Sequence, residues 1–234
     1  MTEAVHLKGH WETGDIERLA RLTGGSFTFT SGSVDEGNPC SILIGGVVRL
    51  EEIDNCPSLR TIIVPYAGIP EVTAKSLGER PGIEIRSIHH NAVSASEMAV
   101  TLMLAAAKLI IPGDNALRKG DWTPRYRPEG LLIEDSRILV LGWGAIGSRV
   151  GRICSAMGAS VKGVRRTPGP GFYTTGDLPE LLPETDILVV CVPLDDSTRG
   201  IIGDRELKFL PPGAVVVNIA RGRVIDEAAL FVLL

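Results

Sequence analysis

Residues 137–158, RILVLGWGAIGSRVGRICSAMG, decide the fold. A short β-prone apolar run leads into Gly142, Gly144 and Gly147, spaced G-x-G-x-x-G, and the pattern then turns helical. Gly142 allows a tight turn, Gly144 lets backbone amides approach a pyrophosphate, and Gly147 lets the helix pack closely on the strand. The amides of Ala145 and Ile146 fall at the helix N-terminus, where partial positive charge stabilises a phosphate. The glycine spacing alone is weak evidence. Its strand–turn–helix setting makes a dinucleotide-binding turn the expected reading, with a plain tight βα turn as the alternative.

The strand that follows, SVKGV (160–164), bears on which dinucleotide. An NAD site uses an Asp or Glu at the end of this strand to hold the ribose hydroxyls. Here the strand ends in Arg165, Arg166 and Thr167, with no acid. Two guanidinium forks and a hydroxyl suit a 2′-phosphate. The expected cofactor is NADP(H), with NAD(H) as the alternative, and the plain alternative for the two arginines is a solvated strand end.

Outward from this turn, β-prone runs alternate with helical patterns along the whole chain, which argues α/β with parallel sheets. AVHLK, FTF, SILIGG, TIIVPY and IEIRSI are the strand candidates of the first part, with GDIERLARL and IPEVTAKSLGE between them as amphipathic helices. RILVLG, SVKGV, DILVVCVP and AVVVNI are near-continuous Val/Ile/Leu runs, as strands covered on both faces require. The expected fold is two Rossmann/flavodoxin-like doubly wound parallel-sheet domains, at 1–105 and 106–234. The stretch SASEMAVTLMLAAAKLII (94–111) is apolar nearly all round and predicts a helix buried on most sides, between domains. PGDNALRKGDWTPRYRPEGLLIEDS (112–136) reads as a polar connection and surface arm.

Composition excludes several functions. A net charge of -4 and the lack of a dense basic run give no reason to expect nucleic acid. The longest apolar run is broken by Lys108 and too short to span a bilayer, and MTEAVHLKGHWETGD is not a signal peptide, so a cytoplasmic protein is expected. Cys40, Cys56, Cys154 and Cys191 lie far apart in or beside apolar runs, without metal-ligand spacing, and read as buried thiols.

Together, TIIVPYAGIPE, HHNAVSASEMAVTLMLAAAK, LVLGWGAIGSRVGR, VVCVPLDDSTRGIIGDREL and VVVNIARGRVIDEAAL resemble the D-isomer-specific 2-hydroxyacid dehydrogenases, in that family's order from about residue 60 onward. The resemblance implies a substrate loop in PYAGIP, where backbone amides around Ala67 and Gly68 hold a substrate carboxylate. It implies that Asn91 lines the cleft, although Asn91 as a cap of the following helix is an equal reading. Val192, Pro193 and Thr198 would lie near the nicotinamide ribose, and Ile219 and Ala220 beside the cofactor. Arg221, in NIARG, would bind the carboxylate and polarise the 2-oxo group, as a bidentate guanidinium can. The implied partners are a small 2-oxo or 2-hydroxy acid and a second copy of the chain, paired through the nucleotide domain with GDNALRKGDW as a dimer helix.

Reduction of a 2-oxo acid also needs a proton, which a histidine beside a carboxylate supplies near neutral pH. In the family that Glu and His follow the arginine turn. The four histidines here, His6, His10, His89 and His90, all precede Arg221. The expectation is a nucleotide-binding domain incomplete at its C-terminus, short by on the order of 70 to 100 residues. Such a chain would be catalytically dead or nearly so, and poorly stable, with AALFVLL lacking partners and a sheet edge exposed. The alternative functions are a cofactor-sensing binding module or pseudoenzyme of the same fold. An alanine dehydrogenase-like Rossmann enzyme is disfavoured by NIARG and CVPLDDSTRG.

Overall fold

The computed structural model describes residues 2–126 and 130–233. Part of the expected arm (127–129) and the last residue of the apolar terminus lie outside the described residues. The chain divides into two compact units, Met1–Asn91 and Ala92–Leu234.

The first unit carries β1 (Glu3–Lys8), α1 (Thr13–Leu22), β2 (Phe27–Gly32), β3 (Ile42–Ile44), α2 (Leu50–Asp54), β4 (Thr61–Val64), α3 (Glu71–Gly78) and β5 (Glu84–Ser87). Its five strands are all parallel, in the order β2-β1-β3-β4-β5. Leu43, Val48, Ile53, Cys56, Leu59 and Ile62 form its core, with the Cys40 and Cys56 sulfurs 3.4 Å apart.

The second unit begins with α4 (Ala92–Ala107) and α5 (Ile110–Leu117). It continues through β6 (Arg137–Leu141), α6 (Gly147–Ala156), β7 (Ser160–Val164), α7 (Leu178–Leu181), β8 (Ile187–Val190), α8 (Asp204–Phe209), β9 (Val215–Asn218) and α9 (Glu227–Leu233). Its strands are parallel in the order β7-β6-β8-β9. Along β6, Ile138 and Val140 join one buried cluster while Leu139 and Leu141 join another, so the sheet is covered on both faces. That is why these strands read as continuous apolar runs rather than alternating ones.

Three expectations for residues 94–122 need correction. The helix expected over 94–111 stops at Ala107 and restarts at Ile110, with a 61° bend. Pro112 is the reason. In a continuous helix its ring would strike the carbonyl of Lys108; the break puts it in the first turn of a new helix, where no amide bond is lost. Leu109 takes the left-handed conformation at the joint, with φ 53°. Nor is α4 buried on most sides. Ala92, Ser96, Ala99, Met103 and Ala107 form one buried stripe, while Val93, Met98 and Leu102 are about half exposed. The helix expected in GDNALRKGDW ends at Leu117, within α5.

Candidate functional site

Strand register brings the site residues of the second unit to one edge. Leu141, Val164, Val190 and Asn218 lie in one row of the sheet. Gly142, Arg165, Cys191 and Ile219 therefore leave the sheet together at its C-terminal edge. The chain crosses from β7 over β6 to β8, so the strand order reverses beside β6. Ligands of open parallel sheets bind in the crevice at such a reversal.

The glycine turn fits a pyrophosphate for reasons that differ at each glycine. Gly142 has φ 105°, and a Cβ on it would lie 2.8 Å from Cys191 C and Val192 N. A Cβ on Gly147 would overlap the Gly142 carbonyl oxygen. These two glycines answer to the protein's own packing. Gly144 does not: its φ is not positive, and nothing lies within 4 Å of where its Cβ would be. The space above it is open. The first bond of the turn runs from the Ser148 amide to the Gly144 carbonyl, and the amides of Ala145 and Ile146 find no acceptor among the described residues. Two donors beside α6, under an open space, form a cradle for an anion.

At the end of β7, Arg165 and Arg166 diverge. Arg165 donates from Nε to the Thr167 carbonyl at 2.6 Å and from Nη2 to the Pro168 carbonyl at 3.3 Å. Arg166 pairs with Asp195, in the loop after β8, at 2.5 Å. The Ser197 hydroxyl and then the Arg166 guanidinium hold the Asp195 carboxyl below its ordinary range. Thr167 is exposed.

Val192 and Pro193 follow β8 at the reversal. Thr198 is buried, and its hydroxyl donates to the Pro193 carbonyl at 2.6 Å while accepting from the Asp195 amide at 2.8 Å. It shapes this loop. Burial pushes the nearby Cys191 thiol up to about 12, so it is a neutral, unreactive group there.

The turn after β9 is held by a residue that the motif reading overlooked. Asn218 accepts from the Ala220 amide at 2.9 Å and donates to the Arg221 carbonyl at 3.0 Å. This side-chain staple sets the path of Ile219 and Ala220 and presents Arg221 outward. The Arg221 guanidinium is exposed and, among the described residues, donates only to the Ala220 carbonyl, at 2.8 Å. Most of its donors are available. An Asn at the end of a strand before a tight turn was the signal for this bonding pattern.

In the first unit, Ala67 and Gly68 follow β4, and Gly68 has φ 82°. The Tyr66 ring lies where a side chain on Gly46 would be. Asn91 Oδ1 is buried without a hydrogen-bond partner among the described residues, so Asn91 does not cap α4.

Comparison with known proteins gives a consistent picture. The family model for the D-isomer specific 2-hydroxyacid dehydrogenase, NAD binding domain, matches residues 100–234. A glyoxylate reductase of Thermococcus gammatolerans is 34% identical over 192 residues, which is 77% of this chain and 57% of that protein. A D-3-phosphoglycerate dehydrogenase of Methanocaldococcus jannaschii is 27% identical over 226 residues, 94% of this chain and 42% of that protein. The chain thus spans about half the length of the curated relatives it matches. The crystal structure of a D-isomer specific 2-hydroxyacid dehydrogenase from Xanthobacter autotrophicus Py2, in complex with NADPH and MES, is similar to it with a TM-score of 0.83. That structure is 25% identical, with 99% of this chain and 76% of that one covered.

Proposed function

The chain belongs to the D-isomer specific 2-hydroxyacid dehydrogenase family, and from that premise we propose that its second unit binds NADP(H) in preference to NAD(H), in the service of reducing a small 2-oxo acid to the D-2-hydroxy acid. The observation that carries this is the open space over Gly144 beside the unpaired amides of Ala145 and Ile146. No packing demand explains a glycine there; a ligand backbone that must come close does.

The residues take distinct roles in this reading. The Ala145 and Ile146 amides hold the pyrophosphate, Arg165 and Thr167 face the 2′-phosphate with Arg166 as a secondary donor paired to Asp195, and Val192, Pro193, Ile219 and Ala220 line the dinucleotide's path, with Thr198 shaping it. The cofactor, when bound, supplies the hydride. Arg221 grips the carboxylate with parallel N–H donors and turns the 2-oxo carbon toward attack, and its charge draws electron density to the oxo oxygen. In the first unit, the Ala67 and Gly68 amides and the Asn91 amide group are the proposed substrate contacts. No histidine lies beyond His90 in these 234 residues, so the 234 residues are proposed to bind cofactor without turnover.

The test is calorimetric titration of the purified chain with NADPH and, in parallel, with NADH. Saturable binding, tighter for NADPH, is the expected result. Equal affinities would remove the NADP(H) preference, and no binding of either would remove the cofactor site. In the same preparation, NADPH oxidation with glyoxylate or hydroxypyruvate is expected to stay at the blank rate. Self-association is also proposed, on the exposure of Met98, Leu102, Ile110, Ile111 and Leu117 along α4 and α5. Sedimentation equilibrium giving the mass of one chain would count against it.

A further inference from the structure

The segment after β7 carries a device that the glycine and arginine motifs do not predict. Residues 168–173 read PGPGFY. Pro170 and Gly171, the latter at φ 75°, form a tight turn closed by the Phe172 amide on the Gly169 carbonyl at 3.1 Å. Pro followed by a left-handed Gly is the signature of a type II turn. The returning strand is tied to β7 by the Arg165 amide on the Tyr173 carbonyl (2.9 Å) and the Tyr173 amide on the Gly163 carbonyl (3.0 Å). The turn is therefore anchored to the sheet on the C-terminal side of Phe172.

What the turn places is an aromatic column. Trp143, the second residue of the glycine turn, lies over Gly151 of α6 and Gly163 of β7, where a Cβ on either would overlap the indole. The Phe172 ring packs on Trp143 with centroids 5.4 Å apart and planes tilted by 55°. The Arg165 guanidinium carbon lies 4.6 Å from the centre of the Phe172 ring. A Cβ on Gly169 would overlap Arg165 Nη2, so the turn's first glycine also makes room for the guanidinium. The cation–ring contact and the two carbonyl bonds fix the orientation of the fork. Among the described residues those bonds use two of its five N–H groups and leave three for a ligand.

We propose that Phe172, backed by Trp143, is the positioning residue for 2′-phosphate selectivity: it pre-orients Arg165, which is the principal phosphate donor, whereas Arg166 is committed to Asp195. This rests on the NADP(H) reading above and deepens it. A guanidinium already held in its binding geometry loses less side-chain freedom on binding than one free in solvent. Arg166 makes the weaker donor, because its charge is already met by a carboxylate at 2.5 Å.

The experiment separates this inference from its premise. Calorimetry is run with adenosine 2′,5′-bisphosphate and with 5′-AMP, which differ only in the 2′-phosphate, on the parent chain and on Phe172→Leu, Phe172→Tyr and Arg165→Lys. The parent is expected to favour the bisphosphate. Phe172→Leu is expected to weaken the bisphosphate about three- to tenfold while leaving 5′-AMP unchanged. Phe172→Tyr, which keeps the ring, restores the parent's discrimination. Arg165→Lys, which keeps the charge but loses the planar fork, behaves like Phe172→Leu. A parent that discriminates while Phe172→Leu discriminates equally well overturns the role of Phe172 and leaves the NADP(H) reading intact. A parent that does not discriminate overturns both. Should Phe172→Leu fail to fold, Arg165→Lys decides: discrimination retained in it overturns the proposal.

Discussion

Thr73 shows how a single buried hydroxyl can organise a loop. It is fully buried on α3, donates to the Gly46 carbonyl at 3.0 Å and accepts from the Val48 amide at 3.0 Å, while its neighbour Val72 is 45% exposed. Thr73→Val keeps the volume and orphans both backbone groups. A loss of about 1–3 kcal/mol in urea unfolding is expected. Gly151→Ala drives a methyl into the Trp143 indole and is expected to cost about 1–3 kcal/mol by the same measurement. Arg137 and Asp186 join β6 to the start of β8 at 2.8 Å, and that hydrogen-bonded pairing, chiefly through the guanidinium, lowers the Asp186 carboxyl below its ordinary value of 3.8. A lowered folded-state value means that the pairing stabilises fully above the ordinary value and is lost as pH falls below it. Asp186→Asn should therefore lower Tm at pH 7, and the gap to the parent should narrow on acidification below pH 3.8. A gap that stays constant with pH would show that the carboxylate charge is not what matters. The tight turn at Gly142, the close packing at Gly147 and the place of the two arginines after β7 were legible in the sequence, because each depends on its own backbone or on its position at a strand end. The contact of Trp143 with Phe172 was not legible, since nothing local to either residue marks a partner 29 positions away.

Strands were the most readable elements. Every strand candidate named in the sequence overlaps one, and in the second unit a parallel strand covered by crossover helices leaves a continuous Val/Ile/Leu signature. Residues 94–111 hide their structure for a related reason: their uniform apolarity carries no period, so neither the break nor the one-sided burial of α4 shows. Pro112 was the available warning, three residues after the joint it imposes at Leu109. A leucine in the left-handed region pays about 1–2 kcal/mol that glycine does not, and Leu109 is 39% exposed, so truncation removes modest packing. Leu109→Gly is expected to leave stability unchanged or raise it by up to about 1 kcal/mol in urea unfolding. A clear loss would mean that the leucine side chain, and not the backbone bend, holds the joint.

At the scale of the molecule, the division into α/β units with parallel sheets could be anticipated from alternation, but the order of strands within each sheet could not. Order is set by which faces meet across tens of residues, and both β1 and β6 become interior strands although each is the first of its sheet. The thiols report on this packing together. Burial raises Cys40 to about 12, Cys154 to about 11 and Cys191 to about 12, and Cys56 shifts the same way. At pH 8 the native chain should react slowly with a disulfide reagent and release its full complement of four thiols only in denaturant. Rapid release in the native state would mean that one of the cores opens readily. The indole of Trp143 has a consequence of another kind, in descent. Because it fills the volume above two glycines in different elements, the three positions do not drift independently: a lineage that gains a side chain at 151 or 163 loses stability for as long as the ring at 143 remains. A Trp143→Ala background should accordingly tolerate Gly151→Ala at little cost, and the order in which those changes are made would decide which intermediates survive.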